Sequence, residues 1–206
     1  MKIKVITSYK PGTWNQFAKR AVESVLDSGR YILGPETVAF EREFAEYCQS
    51  KLSIGVSTGT CALHLVLASI DLQAGDEVIT APNSFIASAS TIALAGGKPV
   101  FVDICDDGNM DPQKLEDAIT SRTRTIIPVH LTGRPARMND ILEIAQNRNL
   151  FVVEDAAQAV GASLNGKRVG SMGYAACFSL HPLKNLHAFG DGGMVTSQNP
   201  ELMTHL

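Results

Sequence analysis

The 206-residue sequence contains no C-x-x-C pair, no run of basic residues and no apolar stretch long enough to span a bilayer. Its four cysteines, Cys48, Cys61, Cys105 and Cys177, are widely separated. That spacing offers nothing to zinc and reads as reduced core thiols in a cytosolic protein. The formal net charge is -3, with both signs scattered along the chain. A non-specific nucleic-acid binder needs a basic face to neutralise phosphates, so nucleic acid is not an expected partner. The opening MKIKVITSYKPG lacks the apolar core of a secretion signal. The histidines, His64, His130, His181, His187 and His205, have no metal-ligand spacing, so no metal is expected; His64 and His130 read as core histidines. Neither a Walker loop nor a G-x-G-x-x-G after a strand is present.

What remains is ordinary globular usage, 45% hydrophobic and 19% charged, in a length that suits one α/β layer structure. Helical spacing runs from Trp14 to Ser28, with Gly29 as its stop, and again from Pro35 through Val38, Phe40, Phe44 and Tyr47. From residue 52 short apolar runs alternate with helical patterns. The runs are Ile54 to Val56, Val78 to Thr80, Pro99 to Val102, Thr125 to Val129, Leu150 to Val153 and Ala175 to Leu180. The helical patterns are Thr60 to Ser69, Ser84 to Ala95, Pro112 to Ile119 and Met138 to Asn147. This alternation predicts a mostly parallel sheet covered on both faces. A last run, Gly192 to Thr196, follows a glycine-rich turn with no helix between, which fits an antiparallel strand.

Ligands of open α/β sheets bind at the carboxyl ends of strands, so the residues after each strand carry the chemistry. Ser57-Thr58-Gly59-Thr60 leads straight into a helix. Such a start is either a plain N-cap or a phosphate site built from free amides and the helix dipole. Glu154-Asp155 leaves an apolar strand, and a carboxylate there is either a cap or the partner of a cation such as a ring nitrogen; Gln158 lies three residues on. Lys184 follows the strand ending at Leu180 and precedes Gly190-Asp191-Gly192-Gly193. A lone lysine in a loop is commonly a solvated surface charge, but one partly desolvated among these apolar neighbours and beside the glycine-rich turn becomes a nucleophilic amine.

Six blocks in order, VSTGTCALHLVL, GDEVITAPNSFIASAS, AGGKPVFVDI, TIIPVHLTG, VVEDAAQAVGA and CFSLHPLKNLHAFGDGGMV, resemble the DegT/DnrJ/EryC1/StrS family of pyridoxal-phosphate (PLP) sugar aminotransferases. The resemblance implies the three-layer α/β/α large domain of a fold type I PLP enzyme. Residues 1–50 would be its N-terminal helical segment and 51–206 its sheet domain, with a smaller C-terminal domain absent from the chain. It implies that Lys184 is the Schiff-base lysine and acid/base. Asp155 would pair with the pyridine nitrogen, Gln158 with the phenolic oxygen, and Phe85 would stack on the ring. Gly59, Thr60 and Ser179 would hold the phosphate. The implied reaction passes an amino group from an amino acid such as glutamate to a keto sugar, usually nucleotide-linked, in a homodimer. Thr132 stands where the family commonly has tyrosine. The rival readings are a sugar dehydratase, in which histidine replaces the lysine, and a non-catalytic binding module on the same fold.

Overall fold

Two helices open the computed structural model, which describes residues 15–206. Helix α1 (Asn15–Ser28) is followed by Gly29, and α2 (Pro35–Tyr47) begins with proline, whose missing N–H costs nothing in a first turn. Trp14, assigned to the first helix from sequence, lies outside the described residues. Side chains start three later helices. Thr58 Oγ1 accepts from the Cys61 amide at 2.9 Å ahead of α3 (Gly59–Ser69). Asp111 Oδ1 accepts from Gln113 N at 3.0 Å ahead of α5 (Pro112–Ala118), as Asp111-Pro112 predicts. Asn199 does the same for α7 (Pro200–His205). Helices α4 (Ala87–Leu94) and α6 (Met138–Arg148) complete the set.

The strands are β1 (Leu52–Val56), β2 (Glu77–Thr80), β3 (Lys98–Phe101), β4 (Thr123–Ile127), β5 (Phe151–Asp155), β6 (Ser163–Leu164), β7 (Lys167–Arg168), β8 (Ala175–Ser179) and β9 (Gly193–Ser197). Seven of them form one sheet in the order β1-β9-β8-β5-β4-β2-β3. Strand β9 runs antiparallel to both neighbours, and every other pairing from β8 to β3 is parallel. The expected mostly parallel sheet with one antiparallel strand is the observed architecture.

Alternation along β5 shows how the sheet separates its two faces. Val153 packs with Leu63, Val66 and Leu67 of α3 and Ile92 of α4, while Val152 packs with Leu115 of α5 and Met138, Ile141 and Ala145 of α6. A third cluster seats Phe44 of α2 on Phe178, ring edge to ring face at 5.0 Å between centroids. Three layers result, helices on both faces of a buried sheet.

Two local readings differ from the structure. The helix expected from Ser84 starts at Ala87, because Ser84 to Ile86 form a turn in which the Ser88 amide donates to Phe85 O. The hairpin β6–β7 was not expected, although Asn165-Gly166 is a strong signal for it. Both residues have positive φ, +51° and +81°, as a two-residue type I′ turn requires. The strands it joins are two residues each, too short to show a period.

At the amino ends of the strands, Glu77 is buried and paired. Thr120 Oγ1 donates to Oε2 at 2.6 Å, and Arg122 and Lys98 reach Oε1 at 2.9 and 3.2 Å. The Thr120 hydroxyl first, then Arg122, lower its carboxyl from an ordinary 4.5 to about 2. A depressed folded value means stability that is present above the unfolded value and lost as pH falls toward the folded one. We expect acid titration from about pH 4.5 to pH 2 to destabilise the protein partly through this group. In thermal melts across that window, Glu77→Gln should be the less stable protein at neutral pH and should lose less on acidification.

Candidate active site

The carboxyl ends of β5 and β8 and the amino end of α3 border one cavity of about 410 Å³, within the range of small-molecule sites. Each candidate residue named from sequence lines it: Gly59, Thr60, Phe85, Asp155, Gln158, Ser179 and Lys184. Residues up to 125 positions apart in sequence are brought together there (Gly59 to Lys184). Thr132 is not among the lining residues; it sits in a short 3-10 turn (Leu131–Gly133) with a φ of +54°.

One end of the cavity is a cradle made by close backbone approach. Thr58 spends its side chain on the Cys61 amide, so the preceding first-turn amides of α3 stay outside that cap. A Cβ on Gly59 would lie 2.8 Å from Ser179 Cβ, and a Cβ on Gly193 only 2.5 Å from the Thr58 carbonyl. No side chain fits at either place, which lets β9 and β8 press against the helix start. Ser179 is the last residue of β8, and its Oγ accepts from the His181 amide at 3.3 Å, leaving its own proton to give.

Lys184 rides on the connection between β8 and β9. That loop is closed at its base, where Leu180 N donates to Gly192 O and Ala188 N to Leu180 O, both at 2.8 Å. Its turn is set by Lys184 N donating to His181 O at 2.8 Å, and Asn185 Nδ2 anchors the loop to Val160 O at 2.7 Å. Lys184 itself is half-buried in the cavity wall. Phe85, which also lines the cavity, is 70% exposed.

Asp155 is buried, with one carboxylate oxygen taking the Ser88 hydroxyl at 2.6 Å and the other the Ala157 amide at 3.3 Å. Burial pushes its carboxyl above the usual range, and the Ser88 hydrogen bond is the strongest opposing influence. Its neighbour Glu154 faces the other side of β5. Met172 N and Gly173 N donate to Oε1 at 3.0 and 2.9 Å, Gly170 N donates to Oε2 at 3.2 Å, and His130 Nε2 lies 3.0 Å from Oε2. His130 Nδ1 accepts from Ala136 N at 3.0 Å, which assigns the ring hydrogen to Nε2. Glu154 is thus a structural carboxylate and Asp155 the one that lines the cavity. Sequence analysis singled out neither Ser88 nor the Glu154–His130 pair. The strand alternation that sends adjacent carboxylates to opposite faces was the available signal for the second.

The model of the DegT/DnrJ/EryC1/StrS aminotransferase family matches residues 13–206. The dTDP-3-amino-3,4,6-trideoxy-alpha-D-glucose transaminase of Streptomyces venezuelae is 47% identical over 187 residues, 90% of this chain and 49% of that protein. Among solved structures, an aminotransferase from Psychrobacter cryohalolentis superposes with a TM-score of 0.92 at 39% identity, covering 97% of this chain and 51% of that one. NtdA of Bacillus subtilis, solved with bound cofactor PMP, gives 0.84 at 35% identity over 91% of this chain and 42% of that one. The chain therefore spans about half the length of such relatives or less. With the fold of these aminotransferases and the family's model matched along nearly all of its length, the chain belongs to the DegT/DnrJ/EryC1/StrS aminotransferase family.

Proposed function

We propose that this chain carries the cofactor site of a PLP-dependent aminotransferase that moves an amino group from an amino acid, glutamate by preference, to a nucleotide-linked keto sugar. The observation that carries this reading is the single cavity that joins a buried carboxylate, a half-buried lysine and a glycine-built helix start.

The residues present fit pyridoxal phosphate. Its phosphate suits the cradle at Gly59, Thr60 and Ser179, where a dianion meets first-turn amides and the positive end of α3. Asp155 supplies an acceptor for a protonated ring nitrogen at a place where burial alone would leave the carboxylate costly. Bound there, the cofactor supplies an aldehyde for the lysine amine and a cationic ring that accepts electrons from the substrate carbon. Asp155 holds the proton of that ring nitrogen in place. Gln158 orients the ring through its phenolic oxygen, and Phe85 covers the ring from the cavity mouth. Lys184 Nζ would be the amine that holds the cofactor and, once free, the base that moves a proton at the substrate carbon. Tyr31, Ile32 and Leu33, between 64% and 87% exposed, support association of two copies through this apolar surface.

The test is trapping. Adding PLP to the purified protein, reducing with borohydride and mapping peptides by mass should place about one pyridoxyl group per chain, on the peptide containing Lys184, as a single reactive lysine demands. Reduction that labels other lysines, or none, would remove the proposal.

A further inference from the structure

The hydroxyl on Asp155 comes from a residue outside the expected site. Ser88 lies in the first turn of α4, is 1% exposed, and puts Oγ 2.6 Å from Asp155 Oδ2. Its Oγ is also 2.8 Å from Ser84 Oγ, and Ser84 lines the cavity. A hydroxyl has one proton to give, and an ionised carboxylate only accepts. The two contacts therefore have one direction when Asp155 is charged: Ser84 donates to Ser88, and Ser88 donates to Asp155.

The surroundings make this donor consequential. The face of β5 carrying Asp155 is packed with Leu63, Ala87, Val153 and Cys177, none of which can donate to a carboxylate strongly. Among the described residues, only the Ser88 hydroxyl and the Ala157 amide give hydrogen bonds to it, and the Ser88 contact is much the shorter, 2.6 against 3.3 Å. Short hydrogen bonds to a charged acceptor are about twice as strong as neutral ones.

We propose that Ser88 is the positioning residue for Asp155: its hydroxyl, itself oriented by Ser84, holds the buried carboxylate as an anion in one rotamer, ready for the cofactor's ring nitrogen. The inference rests on the reading of Asp155 given above. Ser88 does not touch the cofactor in this scheme; it acts through Asp155 alone. Burial raises the Asp155 carboxyl, and Ser88 opposes that rise ahead of every other group, which is consistent with the geometry.

Two readouts test it. The first is the dissociation constant for PLP, measured by absorbance on wild type, Ser88→Ala, Ser88→Cys and Ser84→Ala. Ser88→Ala should weaken PLP binding on the order of tenfold, the cost of one hydrogen bond to a charged group. Ser88→Cys, with a weaker donor, and Ser84→Ala, with the orienting donor lost, should fall between. In an Asp155→Asn background the same Ser88→Ala change should add nothing. The second readout needs no cofactor: the Asp155 carboxyl carbon, followed by NMR against pH, should titrate higher in Ser88→Ala than in wild type. An unmoved carboxyl titration together with an unchanged PLP constant overturns the proposal. So does a loss of the same size in the Asp155→Asn background, which would make Ser88 a packing residue. If wild type binds no PLP, the cofactor reading fails, and the carboxyl titration still decides what Ser88 does. Should Ser88→Ala not fold, the cysteine and Ser84 variants carry both readouts.

Discussion

Lys184→Ala should slow the half-reaction with glutamate by on the order of a thousandfold or more, because one side chain is asked both to bind the cofactor and to carry the proton. The fold should tolerate the change. Lys184 makes its loop contacts through its backbone, donating to His181 O, while Asn185, Leu180 and Ala188 hold the loop in place. Its side chain is half-buried at a cavity wall and fills no core cluster. Melting temperature should therefore move little, as for surface changes generally. PLP should still bind without a covalent link, since the cradle at Gly59 and Ser179 and the carboxylate of Asp155 remain. Stopped-flow absorbance with glutamate, beside a melt of the same sample, checks both halves. A variant that keeps its half-reaction rate would show that another group does the chemistry. His181, which also lines the cavity, would be the first to examine.

Glu154→Ala should cost about 3–5 kcal/mol of stability, the usual penalty for stripping one partner from a buried charged network. The carboxylate takes three backbone amides, those of Gly170, Met172 and Gly173, and faces the His130 imidazole. These donors would lose their acceptor, the Gly170 amide and the wholly buried His130 ring with no water at hand to replace it. In a chain of this size that loss corresponds to a melting temperature lower by about 10 °C. Glu154→Gln, which keeps one acceptor oxygen, should fall between. Chemical denaturation of the three proteins gives the comparison. If Glu154→Ala were as stable as wild type, the network would be a crystal-like coincidence of good geometry with no energetic content. PLP binding by the folded fraction should survive, because Asp155 points to the opposite face of β5.

These two neighbours also mark where sequence reasoning reached and where it stopped. The alternation of apolar runs and helical patterns carried enough periodicity to indicate the layers, the parallel sheet and the antiparallel β9. Helix starts with explicit caps, such as Asp111-Pro112, were readable because the cap is local. Gly59, Thr60, Asp155, Gln158 and Lys184 could be singled out because they lie at or just after strand ends, which converge at one edge of such a sheet, whereas Phe85 and Ser179 were named only through the family resemblance. Ser88 could not be named that way. Its importance lies in a contact with Asp155, 67 positions distant, and one serine in a helix of small residues has no pattern of its own. The Glu154–His130 pair was hidden for a similar reason: the sequence placed both residues at strand ends without giving their distance. The start of α4 was misplaced at Ser84 because the turn before it is made of the same small and apolar residues as the helix.

The packing of Gly193 against Thr58 also bears on the order in which the molecule can be assembled. Strand β1 lies near the beginning of the described chain, yet among the described residues its sheet partner is β9, pairing Leu52 with Ser197 and Val56 with Gly193. Local helices and the β2–β3 pair can form as soon as they are made, but closing so long a loop must wait for both ends. A nascent chain that has emerged only as far as β8 has its lysine still inside the ribosome and lacks Gly193, whose backbone closes on Thr58. On the proposed reading, a cofactor would meet its lysine and its cradle together only once β9 is in place, too late to template the first steps of folding.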